Sequence, residues 1–141
     1  MNLLSRISFA SLVRLTALAA AGALLSGCAL QPRTPEQAVS QRVAAYWQAR
    51  ASQDFNKAYQ FNTPAYRKLY TADQFRSQFG AGGAIRKGEA VKVDCVVEKC
   101  NVRVQITSTP MIPGMNLDTI TSYLDEIWLL EDGQWWRYQD L

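Results

Sequence analysis

The chain reads as an α+β domain behind a secretory leader, with helices first and an antiparallel sheet after them. Three observations carry this. Between Thr34 and Phe79, Thr and Asp caps, two of them followed by Pro, precede apolar residues at helical spacing. From Val91 onward the spacing of apolar residues switches to period two. Before Cys28 stands a charged, then apolar, then small-residue segment with the build of an export signal.

That leader runs from Met1 to Gly27. Arg6 and Arg14 supply positive charge, and no acid occurs before Glu36. Leu15 to Leu25 is an uncharged run of 11 residues, where a transmembrane helix needs about 20. The reading is a cleaved segment rather than a spanning anchor. Leu25-Ser26-Gly27-Cys28 resembles the lipobox of bacterial lipoproteins. The resemblance implies a diacylglyceryl group on the Cys28 thiol, cleavage before Cys28 and acylation of the new amine. Each buried methylene contributes about 0.8 kcal/mol, and one chain holds only marginally, so several chains would make a lasting membrane anchor. By the same resemblance Ala29, in the place of Asp, points to the outer membrane of a Gram-negative cell, with the domain facing the periplasm. The domains expected are thus a signal peptide over 1–27, a lipidated tether over 28–34 and one folded domain over 35–141.

Loss of the leader removes Arg6 and Arg14 and leaves 13 basic against 12 acidic side chains, a net charge of +1. That balance offers nothing to nucleic acid. It is unevenly spread: Cys28 to Arg103 holds 12 basic and 6 acidic residues, and the remainder holds Arg137 against six acids. The two halves either pair across one folded surface or leave a basic face for anionic headgroups. With Cys28 assigned to lipid, Cys95 and Cys100 remain, and an even pair in an exported chain reads as a disulfide. No His occurs and no four-ligand set is present, so neither a metal nor another cofactor is expected.

Thr34-Pro35-Glu36-Gln37 has the form of a capping box with Pro at the first helical position. It opens a helix predicted to run from Pro35 to about Ser52, with Val39, Val43, Tyr46, Trp47 and Arg50 at helical spacing and its Tyr46-Trp47 edge turned inward. Asp54 caps a short helix through Phe55, Ala58 and Tyr59. Thr63-Pro64 opens another over Ala65–Tyr70, and Thr71 precedes one over Asp73–Phe79. Gly80 to Gly88 reads as a helix-to-strand connection. Its glycines with Arg86 and Lys87 lack the strand and the G-K-[ST] of a phosphate loop.

Pairing Cys95 with Cys100 across a two-residue turn at Val97-Glu98 sets Val93 opposite Val102 and Val91 opposite Val104. The cysteines then fall at a non-hydrogen-bonded pair, where side chains approach closely. Thr109 to Met115 is a loop of unusual apolar content, and Met111, Ile112 and Met115 make it a candidate partner contact. Ile120–Leu130 and Trp135–Gln139 are two more strands, joined by the Asp132-Gly133 hairpin signal.

The helix ending at Trp47-Gln48-Ala49-Arg50-Ala51-Ser52-Gln53-Asp54, followed by Ala58-Tyr59-Gln60-Phe61 and Thr63-Pro64-Ala65-Tyr66-Arg67, resembles the opening of NTF2-like (cystatin-like) domains. Ile127-Trp128 with Asp132-Gly133-Gln134-Trp135-Trp136 resembles their last hairpin. The resemblance implies a curved sheet with the helices in its concave face and a pocket between them. It implies no single activity, because that fold carries enzymes, binders and dimerisation modules. Trp47, Tyr59, Tyr66, Trp128, Trp135 and Trp136 are candidates to line such a pocket for a small apolar ligand, or else are core.

An enzyme here would need acid/base groups in the cone, and the commonest, His, is missing. Asp125 and Glu126 lie mid-strand and must point to opposite faces, so one of them faces in. It is either a candidate base of raised pKa or the partner of Arg103 or Arg137. The reading is a membrane-anchored binding or interaction module with no catalytic residue. Its partner would be an apolar ligand, an envelope protein or a second copy of the chain. The rivals are a small enzyme using Asp125 or Glu126 and a structural component of an envelope assembly.

Overall fold

A computed structural model of the chain describes residues 33–79, 84–110, 114 and 118–140. Cys28 and the Met111, Ile112 and Met115 side chains of the candidate partner loop lie outside these residues. Four helices, α1 (Pro35–Ala51), α2 (Phe55–Tyr59), α3 (Pro64–Leu69) and α4 (Ala72–Ser77), precede four strands, β1 (Ala84–Val96), β2 (Lys99–Thr109), β3 (Ile120–Glu131) and β4 (Gln134–Tyr138). The strands form one open antiparallel sheet in chain order. The α+β expectation holds. No described helix is long and apolar enough to cross a membrane.

Each helix starts where a side chain can take a backbone N–H. Thr34 accepts from Gln37 N and Gln37 Oε1 accepts from Thr34 N, and Thr71 makes the same reciprocal pair with Gln74. Asp54 accepts from Lys57 N at 3.0 Å and Thr63 from Tyr66 N at 3.3 Å. These caps satisfy donors that a helix leaves free at its first turn. α1 lies chiefly against β1 and presents Val39, Val43, Tyr46, Trp47 and Ala49 to the core. β2 answers with Cys100, Val102, Val104 and Ile106, and Trp128 and Trp135 complete the buried set on β3 and β4. A second aromatic cluster joins the short helices, where Phe75 packs on Tyr59, Tyr66 and Phe79.

The hairpin register is as predicted at its closed end. Cys95 opposes Cys100, Val93 opposes Val102, and the disulfide joins Cα atoms 4.0 Å apart. Farther along the prediction fails, because β1 carries a bulge at Val91 and another at Arg86. Ala90, not Val91, opposes Val104, and Val91 is exposed. A bulge adds one residue to one strand, which shifts the inward phase and bends the strand. The shift brings Gly88 opposite Ile106 and under α1. Gly88 is therefore not in a connecting loop, as its sequence suggested, but mid-strand, with the Trp47 ring against its Cα. At the other hairpin Asp132 and Gly133 have φ of 52° and 75°. That is the left-handed pair of a type I′ turn, which Asp-Gly accommodates.

Two expectations follow. A Cβ on Gly88 would stand 2.6 Å from Trp47 Cδ2, so Gly88→Ala should destabilise the domain by about 1–3 kcal/mol, read as a lower denaturant midpoint. Joint replacement of Cys95 and Cys100 by Ala should remove about 2 kcal/mol in the chain-entropy account of so short a loop. The protein would still fold, with thermal unfolding shifted down and the reductant dependence gone.

Candidate functional site

The two mid-strand carboxylates separate as strand alternation requires. Asp125 is exposed and pairs with Arg103, Nη1 to Oδ2 at 2.7 Å. Glu126 is buried, on the same side of β3 as Trp128. Both of its oxygens are occupied: Arg137 Nε donates to Oε1 and Trp128 Nε1 to Oε2, each at 3.1 Å. Of the two sequence-stated roles for the inward carboxylate, the geometry is that of the ion-paired one, with Arg137 the partner.

Arg137 reaches beyond this pair. Its Nη1 donates to Gln139 Oε1 at 3.0 Å and to Asn62 Oδ1 at 3.4 Å, and its guanidinium carbon sits 4.8 Å from the Tyr46 ring centre. Burial works against its charge. Tyr46 and the Glu126 carboxylate more than offset that, and its pKa lies above the ordinary arginine value. Its backbone binds the helical half as well. Arg137 N donates to Phe61 O at 2.7 Å, and Thr63 N donates to Arg137 O at 3.1 Å. The buried Asn62 adds a bond from Nδ2 to Tyr59 O. A concavity of about 250 Å³ opens beside this group, lined in part by Asp125, Glu126, Arg137 and Gln139.

The six aromatics proposed for a pocket are distributed through the fold. Trp47, Tyr66, Trp128 and Trp135 are core side chains. The Tyr59 hydroxyl donates to the carbonyls of Arg67 and Tyr70. Tyr66 accepts from Gln78 Nε2 at 3.0 Å. Burial pushes its phenol pKa up, and the Gln78 bond acts in the opposite sense. Trp136 is half-buried and donates to Glu131 O. Among the described residues two concavities stand out, this one and another of about 340 Å³ beside Glu98, Lys99 and Leu129–Glu131. None of the six lines either. No cluster of metal-ligating side chains occurs among the described residues.

The sequence reading missed Asn62, the indole of Trp128 as a donor to Glu126, and the arginines Arg42 and Arg67 that stack on Trp136. A signal for the first group was present. A two-residue turn at Asp132-Gly133 sets Glu131 opposite Gln134 and hence Trp128 opposite Arg137. Glu126 then stands two residues away on the same face. Nothing in residue spacing announces the stacked arginines, because they come from α1 and α3 while Trp136 comes from β4.

No family model matches the sequence, and no curated protein matches it. Solved structures do match in fold. A SEC-C motif containing protein from Rhodopseudomonas palustris superposes with a TM-score of 0.53 at 16% identity, over 75% of this chain and 76% of its own. A SEC-C motif containing protein from Psychrobacter arcticus gives 0.57 at 8% identity, over 77% and 63%. TsrD from Streptomyces laurentii gives 0.51 at 16%, over 73% and 86%. At such identities the likeness is one of fold.

Because Glu126 and Arg137 form a buried ion pair between β3 and β4, leaving one member unpaired should be severe. Arg137→Met should cost about 3–5 kcal/mol, as for other broken buried pairs. Joining it to Glu126→Leu should recover much of that loss, which a double-mutant cycle by chemical denaturation would measure.

Proposed function

We propose that the chain is a lipid-anchored protein of the bacterial envelope whose α+β domain, of NTF2-like type, is a binding module and not an acid/base enzyme. The observation that carries the anchor is Leu25-Ser26-Gly27-Cys28 directly after the apolar run Leu15–Leu25. The Cys95–Cys100 disulfide fits an oxidising compartment such as the periplasm. Four helices ahead of an antiparallel sheet, with α1 against a bulged β1, fit the NTF2-like reading. The outer membrane is the destination proposed from Ala29.

The binding reading draws on Glu126. A general base must come within hydrogen-bond reach of the proton it abstracts, and this carboxylate is 1% exposed and held by Arg137 and the Trp128 indole. Asp125, the alternative, is exposed and pairs with Arg103.

Metabolic labelling with fatty acid tests the anchor. Wild-type protein should incorporate label and fractionate with membranes, while Cys28→Ala should carry no label and leave the membrane fraction. Equal labelling of both would end the lipoprotein reading.

A further inference from the structure

We propose that Arg42, Arg67 and Trp136 form a binding site for a phosphate group, a ligand class that makes the binding-module reading specific and does not depend on the lipid anchor. The guanidinium carbons of Arg42 and Arg67 lie 5.2 and 4.8 Å from the Trp136 ring centre, and Arg42 also lies 5.1 Å from that of Phe61. Two cations thus share one indole. Neither has a carboxylate within 4.0 Å among the described residues, although all twelve acidic side chains of the chain are among them.

Their protein partners are neutral. Arg67 Nη1 donates to Gln60 Oε1 at 2.9 Å. With its amide turned to present oxygen, Gln134 accepts from Arg42 Nη1 and Nη2 at 2.9 and 3.1 Å. Side-chain amides satisfy N–H groups and leave the charge uncompensated. The Nε atoms of both arginines are buried without a hydrogen-bond partner. Burial, and then the charge of Arg67, lower the pKa of Arg42 below the ordinary arginine value. Arg50 is also stacked, over Tyr46, Trp47, Phe55 and Phe79 and bonded to the Tyr46 hydroxyl, and it shares the Phe55 ring with Arg76 and the Tyr46 ring with Arg137.

The charge to be met favours phosphate over carboxylate. One carboxylate compensates one guanidinium, whereas a phosphomonoester carries about −1.5 to −2 at neutral pH and has three acceptor oxygens. Arg presents its donors in a planar fork suited to such oxygens. Gln60 and Gln134 are exposed, so the group is reachable from solvent. A free phosphate compound and an anionic lipid headgroup both supply this chemistry.

The test uses the full chain bearing Cys28→Ala, so that failure of anchoring and failure of binding are read separately. Inorganic phosphate should raise the thermal midpoint above that in chloride at equal ionic strength, with acetate less effective. Calorimetric affinity should fall at least tenfold in Arg42→Gln and in Arg67→Gln. In phosphate-free buffer Arg67→Gln should keep or raise the midpoint, because it removes a like charge, whereas a purely structural stack predicts a lower one. Flotation with phosphatidylglycerol vesicles that free phosphate does not displace identifies the headgroup as source, and displacement identifies a soluble phosphate. No response to either probe, an affinity in the two variants unchanged from that of the parent chain, or acetate matching phosphate would overturn the proposal.

Discussion

Arg137, ion-paired to Glu126 within the sheet and bonded to Asn62, Phe61 and Thr63 beside it, is the constraint on which the two halves of the fold depend. Taking both charges out of water costs several kcal/mol per ion, and their attraction offsets this only when the remaining polar atoms are also satisfied. Here they are: the second carboxylate oxygen takes the Trp128 indole N–H, and Arg137 finds Gln139, Asn62 and the Tyr46 ring. The same residue's peptide group pairs with Phe61 and Thr63. β4 therefore has the segment between α2 and α3 along its outer edge, bridged in parallel at Asn62 and Arg137. An edge strand of five residues, which would otherwise expose unpaired backbone, is thereby partly covered. Side-chain and main-chain interactions of one residue thus fix both the register of the last hairpin and the position of the helices beside it.

Elsewhere the domain accommodates cations by a different route. Arg42, Arg50 and Arg67 lie over aromatic rings without a carboxylate, and each leaves Nε buried and unbonded. Guanidinium is weakly hydrated and stacks well, so its burial over a ring costs less than burial of an ammonium would. Chain composition makes this necessary. From Cys28 to Arg103 basic residues outnumber acids twelve to six, while beyond it six acids accompany Arg137 alone, and of those twelve cations only Lys87, Lys92 and Arg103 reach a described carboxylate. Of the two sequence-level alternatives, pairing of the halves is therefore realised among the described residues at Arg103–Asp125, Glu126–Arg137 lies within the second half, and much of the basic half stays unpaired among the described residues.

The fold was legible where local chemistry decides it. Thr34, Asp54, Thr63 and Thr71 cap the helices they precede, and Asp132-Gly133 makes its hairpin turn. Cys95, Val93 and their partners were placed by the period-two pattern. What could not be read depends on non-local packing. The bulges in β1 exist where the strand meets α1, and Gly88 looked like a loop residue because the Trp47 ring that requires it is 41 positions away. The candidate site was legible only in part, since Glu126 and Arg137 lie on adjacent strands but Asn62, Arg42 and Arg67 come from the helices.

The closed end of the first hairpin shows how a local cost and a covalent link balance. Val97 is exposed and sits at φ 29°, a left-handed conformation that a β-branched residue adopts at a cost of order 1–3 kcal/mol. The adjacent pair is Cys95–Cys100, whose loop closure contributes about 2 kcal/mol by restricting the unfolded chain. The two quantities are similar in size and act on the same turn. Glu98 O also accepts from Leu130 N at 2.8 Å, which links that turn to β3. The disulfide therefore does more than add stability to a hairpin already satisfied. It offsets a strained turn, and the turn in turn sets the pairing of β1 with β2 at its closed end, from Val96–Lys99 to Lys92–Arg103, before the bulge at Val91.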